Sequence, residues 1–156
     1  MTTPLPPDLI TRLCEAATAP EGVHTVEALA DLWLTDHLTD DGDPEEMAWS
    51  DLCVFELDAH PEVLFAFILR AIRKAENPWQ VGLIAAGPLE DLLTVQGPAY
   101  IDRLEDQARR SARMRYALTG VWTQDLPEED VRARIDAARL AAMDSGLDIG
   151  APLPPA

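Results

Sequence analysis

Apolar residues recur along the chain with the spacing of amphipathic helices. The clearest stripe lies near the N-terminus and consists of Val26, Leu29, Ala30, Trp33 and Leu34. Similar stripes begin at Ile101 and at Val131. Between Val63 and Ile72 the chain is apolar on nearly every side, which predicts a central helix that its neighbours cover.

Prolines divide this pattern into short helices. Six interior prolines follow a breaker or capping residue: Pro44, Pro61, Pro78, Pro88, Pro98 and Pro127. Proline is favoured in the first helical turn, where its missing N–H would have no partner, so each proline predicts a helix start. The predicted helices lie near residues 8–18, 25–38, 44–57, 61–76, 78–86, 88–96, 98–110, 112–121 and 127–144.

These elements predict an all-α fold, a compact domain of seven to nine short helices over residues 1–145. A flexible proline-rich tail is expected at residues 146–156. The segment Leu52–Leu57 is compatible with a strand or with a helix end, and we expect a helix because no partner strand is visible. The proline spacing resembles the stacked helices of HEAT-like solenoids, although no repeat of fixed period accompanies it.

Charge is distributed unevenly along the chain. The formal net charge is −16, and residues 1–60 hold 14 acidic residues but one basic residue, Arg12. This balance argues against a general nucleic-acid binder, because an acidic protein repels a polyanion. The basic cluster Arg109, Arg110, Arg113 and Arg115 would form a small positive island for nucleic acid, or more simply pair with nearby acids.

The densest acidic stretch, from Asp36 to Glu46, has two interpretations. It is either a solvated loop and helix start or an electronegative patch that steers a basic partner protein. Trp49 follows it and is expected in the core, with an interface anchor as the alternative. The candidate partner-binding residues are Asp36, Asp40, Asp41, Asp43, Glu45, Glu46 and Trp49.

The sequence favours neither a metal site nor a catalytic centre, and we expect no cofactor. His24, His37 and His60 lack the spacing that directs two imidazoles at one metal ion, and His37 is expected to cap a helix end. Glu90 and Asp91 are best explained by a helix N-terminus, with a general base or metal pair as the alternative. No nucleophile elbow, phosphate loop or dinucleotide fingerprint is present, so an enzyme is the less favoured class.

The longest apolar run has seven residues, Val63 to Leu69, which is too short for a membrane span. The N-terminus lacks the features of a secretory signal, so we expect a cytoplasmic protein. Cys14 and Cys53 are expected as small buried hydrophobes. The basic residues are Arg except for Lys74, a composition typical of GC-rich bacterial genomes.

One stretch resembles a known family. The core Gly87-Pro-Leu-Glu-Asp-Leu-Leu93 and the closing Val121-Trp122 are similar to small bacterial helical domains of unknown function. The resemblance spans roughly residues 30–123 and implies a helical domain without a known activity, ligand or cofactor. Similar helical modules occur among immunity and interaction proteins.

These observations support two main hypotheses. The first is a non-enzymatic interaction module of the immunity or inhibitor type, whose acidic half masks a basic protein. The second is a structural or scaffolding helical domain, with a homodimer as one form of it. A hydrolase-type enzyme is the third and least favoured hypothesis.

Overall fold

The computed structural model describes residues 2–16, 20–39, 47–139 and 150–156, with the side chains of residues 14–16 left out. Its α-helices are α1 Pro7–Ala16, α2 Val26–Asp36, α3 Trp49–Glu56, α4 Pro61–Lys74, α5 Pro78–Ile84, α6 Glu90–Arg110, α7 Ala112–Thr119 and α8 Glu129–Ala138. Short 3₁₀ turns follow α3 and α7, at Leu57–Ala59 and Thr123–Asp125. The described ranges contain no strand, although Pro4 and Thr25 form an isolated antiparallel bridge. The all-α prediction is confirmed.

Local capping explains several helix boundaries. Asn77 and Ser111 are the N-caps of α5 and α7, and their side chains accept hydrogen bonds from the backbone N–H of Gln80 and Met114. His60 occupies the N-cap position of α4, although its side chain makes no capping bond. Leu52–Leu57 is helical and runs into the following 3₁₀ turn, so the helical interpretation of this segment is confirmed.

Helix α4 lies at the centre of the core, as its sequence predicts. It packs against α2, α5, α6 and α7. Phe67 and Ile68 are fully buried, and Ala71 also has no exposed surface. Helix α1 contacts α3, and α8 contacts α6 and α7. The helices that precede α4 and those that follow it therefore pack within their own groups, and the two groups meet mainly through α4.

The predicted break at Gly97-Pro98 is wrong. Helix α6 continues through both residues from Glu90 to Arg110. Proline removes one helical N–H, but Pro98 and Thr94 are both exposed, so water can bond the carbonyl that loses its donor. Gly97 faces α8, and a Cβ atom there would lie 3.2 Å from both methyl carbons of Val131. Packing against α8 therefore favours a continuous helix despite the proline.

The prediction that a helix starts at Pro88 is also corrected. Residues Ala85–Leu89 form a π-type turn between α5 and α6, and Gly87 departs from helical geometry with φ −119° and ψ −108°. Helix α6 starts two residues after the proline, at Glu90. Pro88 itself is buried in the turn.

The C-terminal segment contacts the helical body through Arg113. Its Nε donates to the Pro154 carbonyl at 2.9 Å, and its backbone N–H donates to the Pro155 carbonyl at 3.1 Å. The Nη1 atom donates to the carbonyls of Arg73 and Ala75 at the end of α4. The flexibility of residues 146–156 stays a prediction, and residues 146–149 lie outside the described ranges.

Candidate interaction face

Two of the seven residues predicted to bind a partner are described, and both lie where α2 meets α3. Asp36 is exposed at the end of α2, and its Oδ2 accepts a hydrogen bond from Ser50 at 2.6 Å. Trp49 begins α3 and is only 8% exposed. Asp40, Asp41, Asp43, Glu45 and Glu46 lie outside the described residues. Trp49 therefore packs in the core, the placement that its sequence context favoured.

His37 joins the two helices at this junction. Its ring stacks on Trp33, with 4.1 Å between centroids, and its Nδ1 lies 2.8 Å from the Trp33 carbonyl. Its Nε2 lies 3.2 Å from Asp51 Oδ1, which also accepts a hydrogen bond from Trp33 Nε1. Burial lowers the pKa of His37, but the hydrogen bonds to Asp51 and to the Trp33 carbonyl outweigh it, and the net pKa is raised.

This geometry leaves His37 with a structural role. A carbonyl and a carboxylate are both acceptors, so the arrangement is best satisfied when both ring nitrogens carry protons. An imidazolium has no lone pair for a metal ion or for general base catalysis. Ser50 lies nearby but donates to Asp36 instead of to the imidazole. The prediction that His37 caps a helix end is confirmed.

A different acidic cluster lies at the start of α6. Glu90 and Asp91 occupy the first turn of this helix, and Asp58 lies in the 3₁₀ turn after α3. Burial raises the pKa of Asp91 above its usual range, and repulsion by Asp58 and Glu90 adds to the effect. Burial also raises the pKa of Asp58. The topology thus brings carboxylates from distant parts of the chain into electrostatic contact.

These three carboxylates stand apart from the ion pairs of the described residues. Most ion pairs of the described residues involve α2, α4, α6 and α8. Within the described ranges, no Arg, Lys or His forms an ion pair with Asp58, Glu90 or Asp91. A cation from another molecule would therefore meet carboxylates that are still available.

Three exposed apolar residues lie near individual members of this cluster. Trp122 is 60% exposed, and its backbone N–H donates to Glu90 Oε2 at 3.0 Å. Phe55 is 69% exposed and precedes Asp58 by three residues in continuous helical geometry. Val95 is 65% exposed and follows Asp91 by four residues on α6. Residues three and four apart share a helix face, so these side chains adjoin the acids.

We call this surface the Trp122 face. It combines three exposed apolar residues with three carboxylates and consists of Phe55, Asp58, Glu90, Asp91, Val95 and Trp122. The sequence analysis did not find it, because its members come from three separate segments. Trp122 is one of four tryptophans in the chain, and its exposed position marks this surface. The spacing of residues along the sequence does not reveal that exposure.

The alternative role of Glu90 and Asp91 as a metal pair gains no support from the described side chains. Within those ranges no group of three or more His, Cys, Asp or Glu is placed to hold a metal ion. Glu90 instead accepts a hydrogen bond from the segment that follows α7. Its carboxylate therefore helps to position Trp122.

The predicted arginine island is largely engaged within the protein. Arg109 and Arg110 pair with Asp106 one turn earlier on α6, as the ion-pair interpretation predicts. Arg113 and Arg115 differ from this expectation, because both donate to backbone carbonyls. These contacts leave less of the cluster free for phosphate groups than its sequence suggests.

Comparison with family models identifies one match. The model of a family of unknown function, DUF6869, matches residues 37–143. The chain belongs to this family. The DUF6869 match contains the Gly87–Leu93 stretch on which the sequence resemblance rests, and every residue of the Trp122 face. Curated proteins and solved structures give no match.

Among the helices of the described ranges of this DUF6869 member, none is both long enough and apolar enough to cross a bilayer.

Proposed function

We propose that the chain is a non-enzymatic protein-interaction module of the immunity or inhibitor type, which binds a basic partner protein on the Trp122 face. The observation that carries this proposal is the combination of unpaired carboxylates with exposed aromatic and aliphatic side chains. A few residues, often Trp, Tyr or Arg, supply most of the binding energy at interfaces, and charges around them speed association and select the partner.

The chemistry of the face specifies the kind of partner. Repulsion by Asp58 and Glu90 disfavours the anionic form of Asp91, so an Arg or Lys side chain placed nearby would offset this repulsion. The indole of Trp122 offers a surface for apolar contact or for a cation above its ring. A basic segment that also carries apolar side chains fits these requirements.

In this proposal, the acidic stretch between Asp36 and Glu46 has a different role from that of the Trp122 face. Together with the rest of residues 1–60 it gives the first part of the chain a strongly negative charge. Long-range attraction of this kind raises the association rate with a basic protein. We expect this stretch to steer the partner and the Trp122 face to hold it.

The scaffolding alternative predicts a homodimer, and exposed Phe55, Val95 and Trp122 would favour one. A symmetric dimer through this face would, however, bring the carboxylates of one copy into the same interface as those of the other. Like charges that face each other across an interface cost several kcal/mol. The three carboxylates of the Trp122 face therefore favour a basic partner over a second copy.

The experiment pairs capture with measured kinetics. The tagged chain is used to capture binding proteins from lysate of its source, and each identified protein is purified and measured against the chain by surface plasmon resonance. The variants are D58N/D91N and W122A. The matched control is E128Q/E129Q, which removes two exposed acids without described ion pairs at the start of α8.

We expect a basic partner whose association slows as salt increases. D58N/D91N should weaken binding by about tenfold and W122A by at least that factor, while E128Q/E129Q changes it by less than about twofold. The proposal is wrong if the control weakens binding as much as D58N/D91N does. It is equally wrong if sedimentation shows that the only partner is a second copy of the chain.

A further inference from the structure

A cavity of about 340 Å³ lies on the opposite end of α4 from the acidic turn at Asp58. Helix α4 forms one wall, and the end of α6 and the start of α7 form another. Thr3 and Ala156, from the two terminal segments, complete its rim. We call it the Arg73 cavity, after the exposed arginine in the last turn of α4.

The floor of the Arg73 cavity is apolar. Ala66 and Leu69 lie three residues apart on α4 and pack against the core, and Met114 of α7 is 2% exposed. Side chains three residues apart on a helix lie on one face, so they present a continuous apolar surface. Such a floor suits the hydrocarbon part of a small molecule.

Polar groups at the rim retain unused hydrogen-bonding capacity. Arg73 forms no ion pair within the described ranges, although the chain holds more than twice as many acidic as basic residues. The Nη2 atom of Arg70 pairs with Asp31, but its buried Nε has no acceptor among the described residues. Gln107 adds a half-buried side-chain amide.

Bidentate contact with a carboxylate is the geometry that a guanidinium group favours, and the exposed Arg73 offers such a group at the rim. Glu27 also lines the cavity, but both of its carboxylate oxygens face the Thr3 N–H, at 3.1 and 3.3 Å. A single negative charge suits this setting better than a dianion, which Glu27 and the acidic chain would repel.

We propose that the Arg73 cavity binds a small amphipathic carboxylate, with its charged group against Arg73 and its apolar part on Ala66, Leu69 and Met114. This site is separate from the Trp122 face and does not depend on the function proposed for that face.

The test is a nuclear magnetic resonance titration of the isotope-labelled full chain. Three probes separate the two parts of the proposal: hexanoate has both charge and apolar body, 1-hexanol has the body alone, and inorganic phosphate has the charge alone. The readouts are the side-chain resonances of Arg70 Nε–H and Gln107. The variant is R73Q, and the matched control is K74Q, which removes the same charge one residue away, outside the cavity lining.

We expect hexanoate to shift both resonances saturably and more strongly than either other probe. R73Q should weaken hexanoate binding by about tenfold, while K74Q changes it by less than about twofold. The proposal fails if hexanoate gives no saturable shift, or if R73Q and K74Q behave alike. Equal binding of 1-hexanol or of phosphate also overturns it, because the site would then recognise only an apolar body or only an anion.

Discussion

Replacing Gly97 by alanine is expected to destabilise the fold, although alanine is the better helix former. Alanine in a helix interior gains about 1 kcal/mol over glycine. The new Cβ atom, however, would lie 3.2 Å from both methyl carbons of Val131, which is 2% exposed. Overpacking of this kind costs about 1–3 kcal/mol. The net loss of unfolding free energy in G97A should therefore be about 1 kcal/mol.

A double-mutant cycle isolates the contact between α6 and α8. V131A alone removes two buried methylene equivalents and leaves a small cavity, at a cost of about 2 kcal/mol. In G97A/V131A the new methyl group enters the space that valine leaves, so the double variant should be more stable than additivity predicts by about 1 kcal/mol or more. Urea denaturation followed by circular dichroism measures each free energy.

The control cycle pairs G97A with V95A, since Val95 is 65% exposed and two residues apart on a helix do not face each other. Those two changes should be additive within about 0.5 kcal/mol. The packing argument is refuted if G97A is more stable than the parent by the full helix-propensity gain. Additivity in the cycle with V131A would refute it as well.

Three further predictions concern pH, the C-terminal segment and the buried thiol. Because the pKa of His37 is raised in the folded state, its stabilising contact is complete below the ordinary value of 6.5 and is lost as pH rises through the raised pKa. The pKa of Asp51 is lowered, so its contribution is present above 3.8 and is lost as pH falls through the lowered pKa. We therefore expect the urea-unfolding free energy of the parent to decrease between about pH 6 and pH 9, and H37Q should remove this decrease. R113M should lower the unfolding free energy by about 2 kcal/mol in the same assay, because it removes three hydrogen bonds to backbone carbonyls. It should also speed proteolysis within residues 150–156. The control R110M should leave both the unfolding free energy and the proteolysis rate unchanged. Burial, with a smaller effect of Glu56, raises the pKa of Cys53 to about 12. A disulfide reagent at about pH 8 should therefore label this thiol only at the rate of unfolding. Rapid labelling of Cys53 in the native chain would contradict the burial.

The sequence predicted those features that neighbouring residues control. The apolar period between Val26 and Leu34 is sufficient to predict a helix, and the apolar run after Pro61 predicts the central one. Asn77 caps its helix with its own side chain, and His37 bonds the carbonyl four residues before it. Such contacts require only the local chain, so their signals are present in the sequence.

Errors occurred where a distant element decides the outcome. The Gly97-Pro98 pair predicts a helix break. Contact between Gly97 and Val131, more than thirty residues later, favours a continuous α6 instead. Arg113 was expected to pair with an acid, but it donates to the carbonyls of Arg73 and Ala75 at the end of α4. Local propensity is weak compared with burial of a helix face, so tertiary packing overrides it.

The sequence by itself determined an acidic all-α domain with a central apolar helix and the positions of most helices. Tertiary structure alone placed Asp58 beside Asp91 and brought Glu90 to the backbone of Trp122. It also enclosed the Arg73 cavity between segments from both chain ends. Helix formation depends on residues within a few positions of one another, whereas both candidate sites require side chains that only the packing of α3, α4, α6 and α7 brings together.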